Sequence, residues 1–322
     1  LAGIKAINPN IKIFIYIDTI AVSKTLNLVD NPIWTIVDAH ENWFMHNNAG
    51  NRVINNYWGG WYLMDERSGW RDFYVQQANT LLSSPYVDGI FGDDVLNEIR
   101  FTITAGVFSD AVTNAVLTTS DFSSSYLDNW KSDTVDFLNY VKNNMNSGKK
   151  FIINSEEYMT NDYLTLTGVD GKMAEGFAAK TDIMNSINGM ARDSATGRIF
   201  IAETYVPTPT STPTAKYSYV ATLLAMNGDN CYFGYNAAYY YGYEGGANYM
   251  PVFVTNLGSP SGSYYQSQGI YMRNFTNGIV LFNPSDNSYN LDLGNNYQLL
   301  NGTIVSSLIL GSWSGEILLS HV

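Results

Sequence analysis

The sequence predicts an α/β fold, a TIM-type (β/α)8 barrel over residues 1–258, followed by a small antiparallel all-β domain over 259–322. Three observations predict it. Short apolar runs that end in an acid or an amide recur along the first part of the chain. Amphipathic stretches of helical period lie between them. Past residue 258 the texture changes to short alternating runs broken by turn signals. The length of 322 residues fits, because a barrel of roughly 250 residues leaves room for one small further unit.

Seven runs read as barrel strands: KIFIYID (12–18), WYLMD (61–65), VDGIFGDD (87–94), FIINSE (151–156), GKMAEGFA (171–178), RIFIAETYV (198–206) and NCYFGYN (230–236). Their near-continuous apolar character suits a sheet covered on both faces. Trp70, Phe73, Tyr74, Gln77 and Leu81 recur at helical spacing, and Leu127, Trp130, Phe137, Leu138, Val141 and Met145 do so over a longer stretch. Tyr217, Val220, Ala221 and Leu224 repeat the pattern after Pro213, and PTPTSTPT (207–214) reads as a rigid loop. A closed barrel needs eight strands, whereas the chain opens on LAGIKAINPN, which reads as the tail of a helix. Either the first strand is absent from this chain, or 19–60 or 95–125 hides a strand, or the barrel is incomplete.

The Gly/Ser/Pro-rich connector 257–263 marks the expected boundary. Beyond it GIYMRNF, NGIVLFNPS, SYNLDL, YQLL, TIVSSLIL and GEILL read as separate short strands, with Asn277-Gly278 and Asn301-Gly302 as turns.

Charged residues make up only 14% of the chain and the formal net charge is −12. This excludes a phosphate-backbone partner, which would be met by clustered Lys and Arg. The polar surface must come from Asn, Ser, Thr, Gly and the 24 Tyr, a surface suited to uncharged, hydroxyl-rich ligands. Cys231 is the single cysteine and reads as a buried structural thiol, so no intrachain disulfide forms. No apolar run reaches the roughly 18 residues of a membrane span. The sequons Asn274-Phe275-Thr276 and Asn301-Gly302-Thr303, with the low charge, predict a secreted or cell-surface protein. The oligomeric state is not legible.

In βα barrels the strand C-termini open onto the active-site face. Asp18, Asp65, Asp93 with Asp94, Asn154 with Glu156 and Glu157, Glu175 and Glu203 all end or follow apolar runs and would ring one mouth. Glycosidic cleavage needs two carboxyl groups, one protonated and one ionised, and crowding drives their pKa values apart. The competing reading makes individual acids helix caps or salt-bridge partners. Catalytic candidates within this ring are Asp93, Asp94, Glu156, Glu175 and Glu203. Asp18, Asp65 and Asn154 are expected to bind substrate, together with the aromatics Trp58, Tyr205 and Tyr241, whose rings match the CH faces of sugars. His40, His46 and His321 show no ligand spacing, and no P-loop, Rossmann or G-x-S-x-G signature is present, so no metal and no cofactor is expected.

The run Asp88-Gly89-Ile90-Phe91-Gly92-Asp93-Asp94 resembles the DG-(V/I)-F-x-D strand motif of glycoside-hydrolase barrels of the α-galactosidase type and of the hypothetical glycosyl hydrolase families allied to them. Its order with GKMAEGF and with YMRNFTNGIVLFNPS, which is similar to the R-x-F-x-NG-x-V-x-x-NP run of their accessory β-domain, extends the resemblance from 12 to 318. The resemblance implies Asp93 as nucleophile and Glu175 as acid/base. The function expected is cleavage of an extracellular poly- or oligosaccharide. The alternative is a non-catalytic carbohydrate-binding or surface-structural protein that kept the barrel.

Overall fold

The structure is a computed structural model, described here for all residues except 25–31, 57–59, 97–98, 156–162, 179–182, 206–211, 237–249 and 322. The chain divides into two compact units, Leu1–Lys172 and Met173–Val322.

In the first unit α1 (Ala2–Ile7) leads into β1 (Phe14–Asp18), as the opening pattern predicts. There follow β2 (Ala21–Ser23), α2 (Pro32–Asp38), β3 (Val53–Asn55), β4 (Trp61–Leu63), α3 (Trp70–Leu82), β5 (Gly89–Asp93), α4 (Ile99–Thr104), β6 (Phe108–Asp110), α5 (Ser124–Asn144), β7 (Lys150–Asn154) and α6 (Tyr163–Leu166). β1, β5 and β7 pair in parallel, in that order. The run WYLMD departs from expectation. It forms β4, but β4 pairs antiparallel with β2 and β3 in a four-stranded sheet of order β2-β4-β3-β6. Both long inter-strand regions do hide strands, and those strands build this separate antiparallel sheet. Buried Asp110 ties it to the preceding loop by accepting from the Asn47 and Asn51 amides at 2.7 and 2.8 Å.

The helix periods hold with one change. Trp70, Phe73 and Tyr74 are buried, but Leu81 is exposed and Ala78 and Leu82 complete the buried face of α3. In α5 the predicted Leu127, Trp130, Phe137, Leu138 and Val141 are all buried, and the Ser123 hydroxyl caps the helix by accepting from the Tyr126 amide at 3.2 Å. Tyr74 meets Phe137 edge-on at 5.4 Å, joining the two helices over Ile90 and Phe151 of the parallel strands. The glycines of DGIFGDD belong to this packing. A Cβ on Gly89 would lie 2.2 Å from the Lys150 carbonyl and 2.6 Å from the Phe14 ring. Gly89→Ala is expected to cost about 2–3 kcal/mol by forcing β1 and β7 away from β5, visible as a lowered thermal midpoint. An unchanged midpoint would refute this reason for the glycine.

β8 (Gly171–Ala174) spans the division in sequence, and α7 (Ile183–Ser194), β9 (Ile199–Tyr205), α8 (Thr212–Ala225) and β10 (Cys231–Asn236) follow, with β9 and β10 parallel. Pro213 and Thr214, expected in a loop, lie in the first turn of α8, where proline's missing N–H costs nothing; the preceding 207–211 lie outside the described residues. Cys231 is half-buried rather than buried.

The antiparallel sheet has the order β11-β12-β13-β16-β14-β15. Its strands are β11 (Tyr265–Ser267), β12 (Ile270–Phe275), β13 (Gly278–Asn283), β14 (Tyr289–Leu299), β15 (Ile304–Leu310) and β16 (Ser314–Ser320). SYNLDL and YQLL, expected as two strands, are one strand whose register shifts between Asp292 and Tyr297. Within this second unit α8 and the sheet share a core: Tyr217 stacks on Phe282 at 4.7 Å, and Lys216 pairs with Glu316 at 2.8 Å. Arg273 is buried and caps the end of α8, donating to the carbonyls of Leu223, Leu224 and Met226 at 3.0, 2.9 and 2.6 Å. That is the structural task of the arginine in the RNFTNG run. The architecture is the predicted class, a barrel-type α/β arrangement of parallel strands and helices followed by an antiparallel β-domain.

Candidate active site

The adjacent ends of β1 and β5 place three carboxylates together in the first unit. Asp18 and Asp93 are direct partners in the parallel register, and Asp94 follows at once. The Thr19 amide and hydroxyl both donate to the Asp93 carbonyl, at 3.0 and 2.6 Å, which locks the two strand ends. Asp94 has φ +53°, a left-handed conformation that a non-glycine residue adopts at a cost. The turn of chain after the strand is thus held in a strained geometry at the point where the acids meet.

The Asp93 carboxylate is oriented by two donors. The Asn154 side-chain amide, from the end of β7, donates to Oδ1 at 2.7 Å. The Tyr16 hydroxyl donates to the same carboxylate. Tyr16 lies two residues before Asp18, so the period of the strand puts both on one face. Burial, then the charges of Asp18 and Asp93, raise the Tyr16 hydroxyl above its ordinary range, so it remains a donor.

Asp18 is buried, and its Oδ1 accepts from the backbone amides of Ile20 and Ala21 at 2.9 and 2.7 Å. Burial and the neighbouring Asp94 push its carboxyl well above the usual range, against the pull of those amides. The site therefore sets a buried carboxyl whose pKa is raised beside Asp93, which two hydrogen bonds orient. Trp70 closes the floor, its Nε1 donating to the Thr19 carbonyl at 2.8 Å.

The other expected residues have contacts of their own. Asp65 follows antiparallel β4 and accepts from the Arg67 guanidinium at 3.0 Å. In the second unit Glu175 follows β8 and accepts from the Tyr205 hydroxyl of β9 at 2.5 Å. Glu203 is also on β9, its carbonyl accepting from the Phe177 amide at 2.6 Å. Glu156, Trp58 and Tyr241 lie outside the described residues. Among the described residues no group of three His, Cys, Asp or Glu could hold a metal ion, and no helix is long and apolar enough to cross a membrane.

Two residues escaped the sequence reading. Tyr16 could have been found, since the alternation in FIYID already places it beside Asp18. Glu66 could not. It sits in the charged run Asp65-Glu66-Arg67, yet it is almost fully buried, and its Oε2 accepts from the Thr134 hydroxyl of α5 at 2.8 Å.

Several solved structures share this fold. A noncanonic maltogenic α-amylase from Thermotoga neapolitana aligns with 13% identity and TM-score 0.54 over 99% of this chain and 80% of that one. The type III pullulan hydrolase from Thermococcus kodakarensis aligns with 10% identity and TM-score 0.53 over 98% of this chain and 61% of that one. At such identities the likeness is one of fold alone. No curated protein matches. The sequence comparison goes further: residues 5–279, which include both expected catalytic motifs, match one family along most of the chain. The protein that carries these carboxylates on this fold belongs to Hypothetical glycosyl hydrolase family 15.

Proposed function

We propose that the protein is a glycoside hydrolase that cleaves an uncharged extracellular poly- or oligosaccharide by paired carboxylates, with Asp93 as nucleophile or base and Glu175 as acid. The observation that carries this reading is the Asp18, Asp93 and Asp94 cluster at the ends of β1 and β5, with Asp93 oriented by Asn154 and Tyr16. A carboxylate aimed by two donors at a strand end is poised to attack an anomeric carbon or to activate water. Glu175, which accepts from the Tyr205 hydroxyl, is the proton donor that the motif resemblance implies. The extracellular setting rests on the two sequons and the low charge. The net charge of −12 disfavours a polyanionic polymer, and the Asn-, Ser-, Thr- and Tyr-rich surface suits a neutral one.

Leaving-group dependence separates the two roles. Glu175→Gln should lose about 100-fold on an unactivated glycoside but little on a dinitrophenyl glycoside, whose leaving group needs no protonation. If Glu175→Gln cleaves both substrates at the wild-type rate, Glu175 is not the acid.

A further inference from the structure

The antiparallel domain carries a second aromatic site that the carboxylate chemistry does not use. A cavity of about 350 Å³ lies in the second unit, lined by Tyr271, Tyr289 and Trp313 together with Gln266, Ser285 and Met184. That volume is at the lower end of small-ligand pockets, roughly 300–1,000 Å³. None of the described residues lining it is charged.

Trp313 is the central feature. The residue is 47% exposed, and its backbone takes φ +45°, a conformation that bulky residues rarely adopt. Two hydrogen bonds hold it there. Its backbone amide donates to the Ser285 carbonyl at 3.1 Å, and its Nε1 donates to Asp286 Oδ1 at 2.8 Å. The indole is therefore fixed before any ligand arrives, and its NH is already engaged, so the face of the ring is what it offers. Tyr289 is equally constrained. It lies across the β11–β12 turn at Gly269, where φ is +86° and a Cβ would meet the ring at 2.2 Å. Only glycine fits both the turn and the ring.

A rigid exposed indole, two tyrosines and neutral amide and hydroxyl groups recognise a ring with an apolar CH face and a hydroxyl rim. We infer that this groove, built by Trp313, Tyr289, Tyr271 and Gln266, is a non-catalytic binding site for a neutral saccharide. It would hold the polymer to the β-domain independently of cleavage, and little ordering entropy is lost on binding because the rings are already placed.

The test uses the full chain labelled with fluorotryptophan, the Trp313 resonance being identified by its loss in Trp313→Phe. Maltohexaose, cellohexaose, xylohexaose and mannohexaose are titrated in turn. The Trp313 resonance should shift with at least one of them, with Kd about 1 mM or tighter. Tyr289→Ala and the surface change Gln266→Ala should each weaken this binding, the former about tenfold. Tyr265→Ala, at an exposed tyrosine that does not line the groove, should not. No shift with any of the four sugars, or unaltered binding in both groove variants, overturns the inference. Reducing-sugar release assayed in parallel keeps the two readings apart. Binding at Trp313 without cleavage removes that sugar as a substrate and leaves the groove standing, whereas cleavage with no Trp313 response overturns the groove and leaves the hydrolase standing.

Discussion

Asp93→Asn is expected to lower hydrolysis of the natural polysaccharide about 1,000-fold or more, since it removes the charge that either attacks the anomeric carbon or activates water. The change conserves volume, and the asparagine carbonyl can still accept from Asn154, so the fold should persist with an unaltered thermal midpoint. Adding azide or formate then separates the two chemistries. A small anion that restores turnover occupies the space of the lost carboxylate, and the anomer of the rescued product reports whether the wild-type enzyme retains or inverts. Wild-type rates from Asp93→Asn would remove this residue from the mechanism, whatever the remainder of the cluster does.

Glu66→Gln is expected to stabilise the protein in alkali and leave it unchanged in acid. Burial, only partly offset by the Thr134 hydrogen bond, raises the Glu66 carboxyl from 4.5 to about 8. The folded state therefore binds this proton more tightly than the unfolded chain, so unfolding free energy falls as pH rises between these two values. Below pH 4.5 both states are protonated and the residue contributes no pH dependence. Above about pH 8 the charged form costs the fold about 3–5 kcal/mol, because ionisation leaves a buried carboxylate near Asp65 and Asp133. Urea unfolding at pH 4 and pH 9 measures the difference directly. The variant should match wild type at pH 4 and exceed it by several kcal/mol at pH 9, and equal stability at both pH values would refute the buried-acid account. Asp18, also raised by burial, contributes in the same direction.

Most of the strand order was legible because a parallel strand's apolar run is a local signal, and β1, β5, β7, β8, β9 and β10 were all read from one. WYLMD has the same texture, and what assigns it to an antiparallel sheet is its partners, β3 just before it and β2 much earlier in the chain. The split reading of β14 came from Gly294-Asn295-Asn296, a turn-like triplet that the sheet absorbs as an irregularity. Helices read well because burial there follows period, and the one error, Leu81 for Ala78 and Leu82, is a shift of the buried face. For the site, a strand-end acid predicted Asp18, Asp93 and Asn154 correctly as neighbours. It gave no warning that an Asp18 carboxylate oxygen accepts from the Ile20 and Ala21 amides, or that Asp65 pairs with Arg67. Glu66 was illegible for a physical reason: its burial is imposed by α5, and nothing in Asp65-Glu66-Arg67 distinguishes it from a solvated charge run.

The central claim is that the carboxylates at the ends of β1 and β5 act on a glycosidic bond. A crystal structure of Asp93→Asn with a bound oligosaccharide tests it most directly. The expected result places the scissile anomeric carbon within about 3.5 Å of the side chain at position 93, with Tyr16 and Asn154 still on that side chain. A sugar bound with its glycosidic bond remote from position 93 would contradict the account.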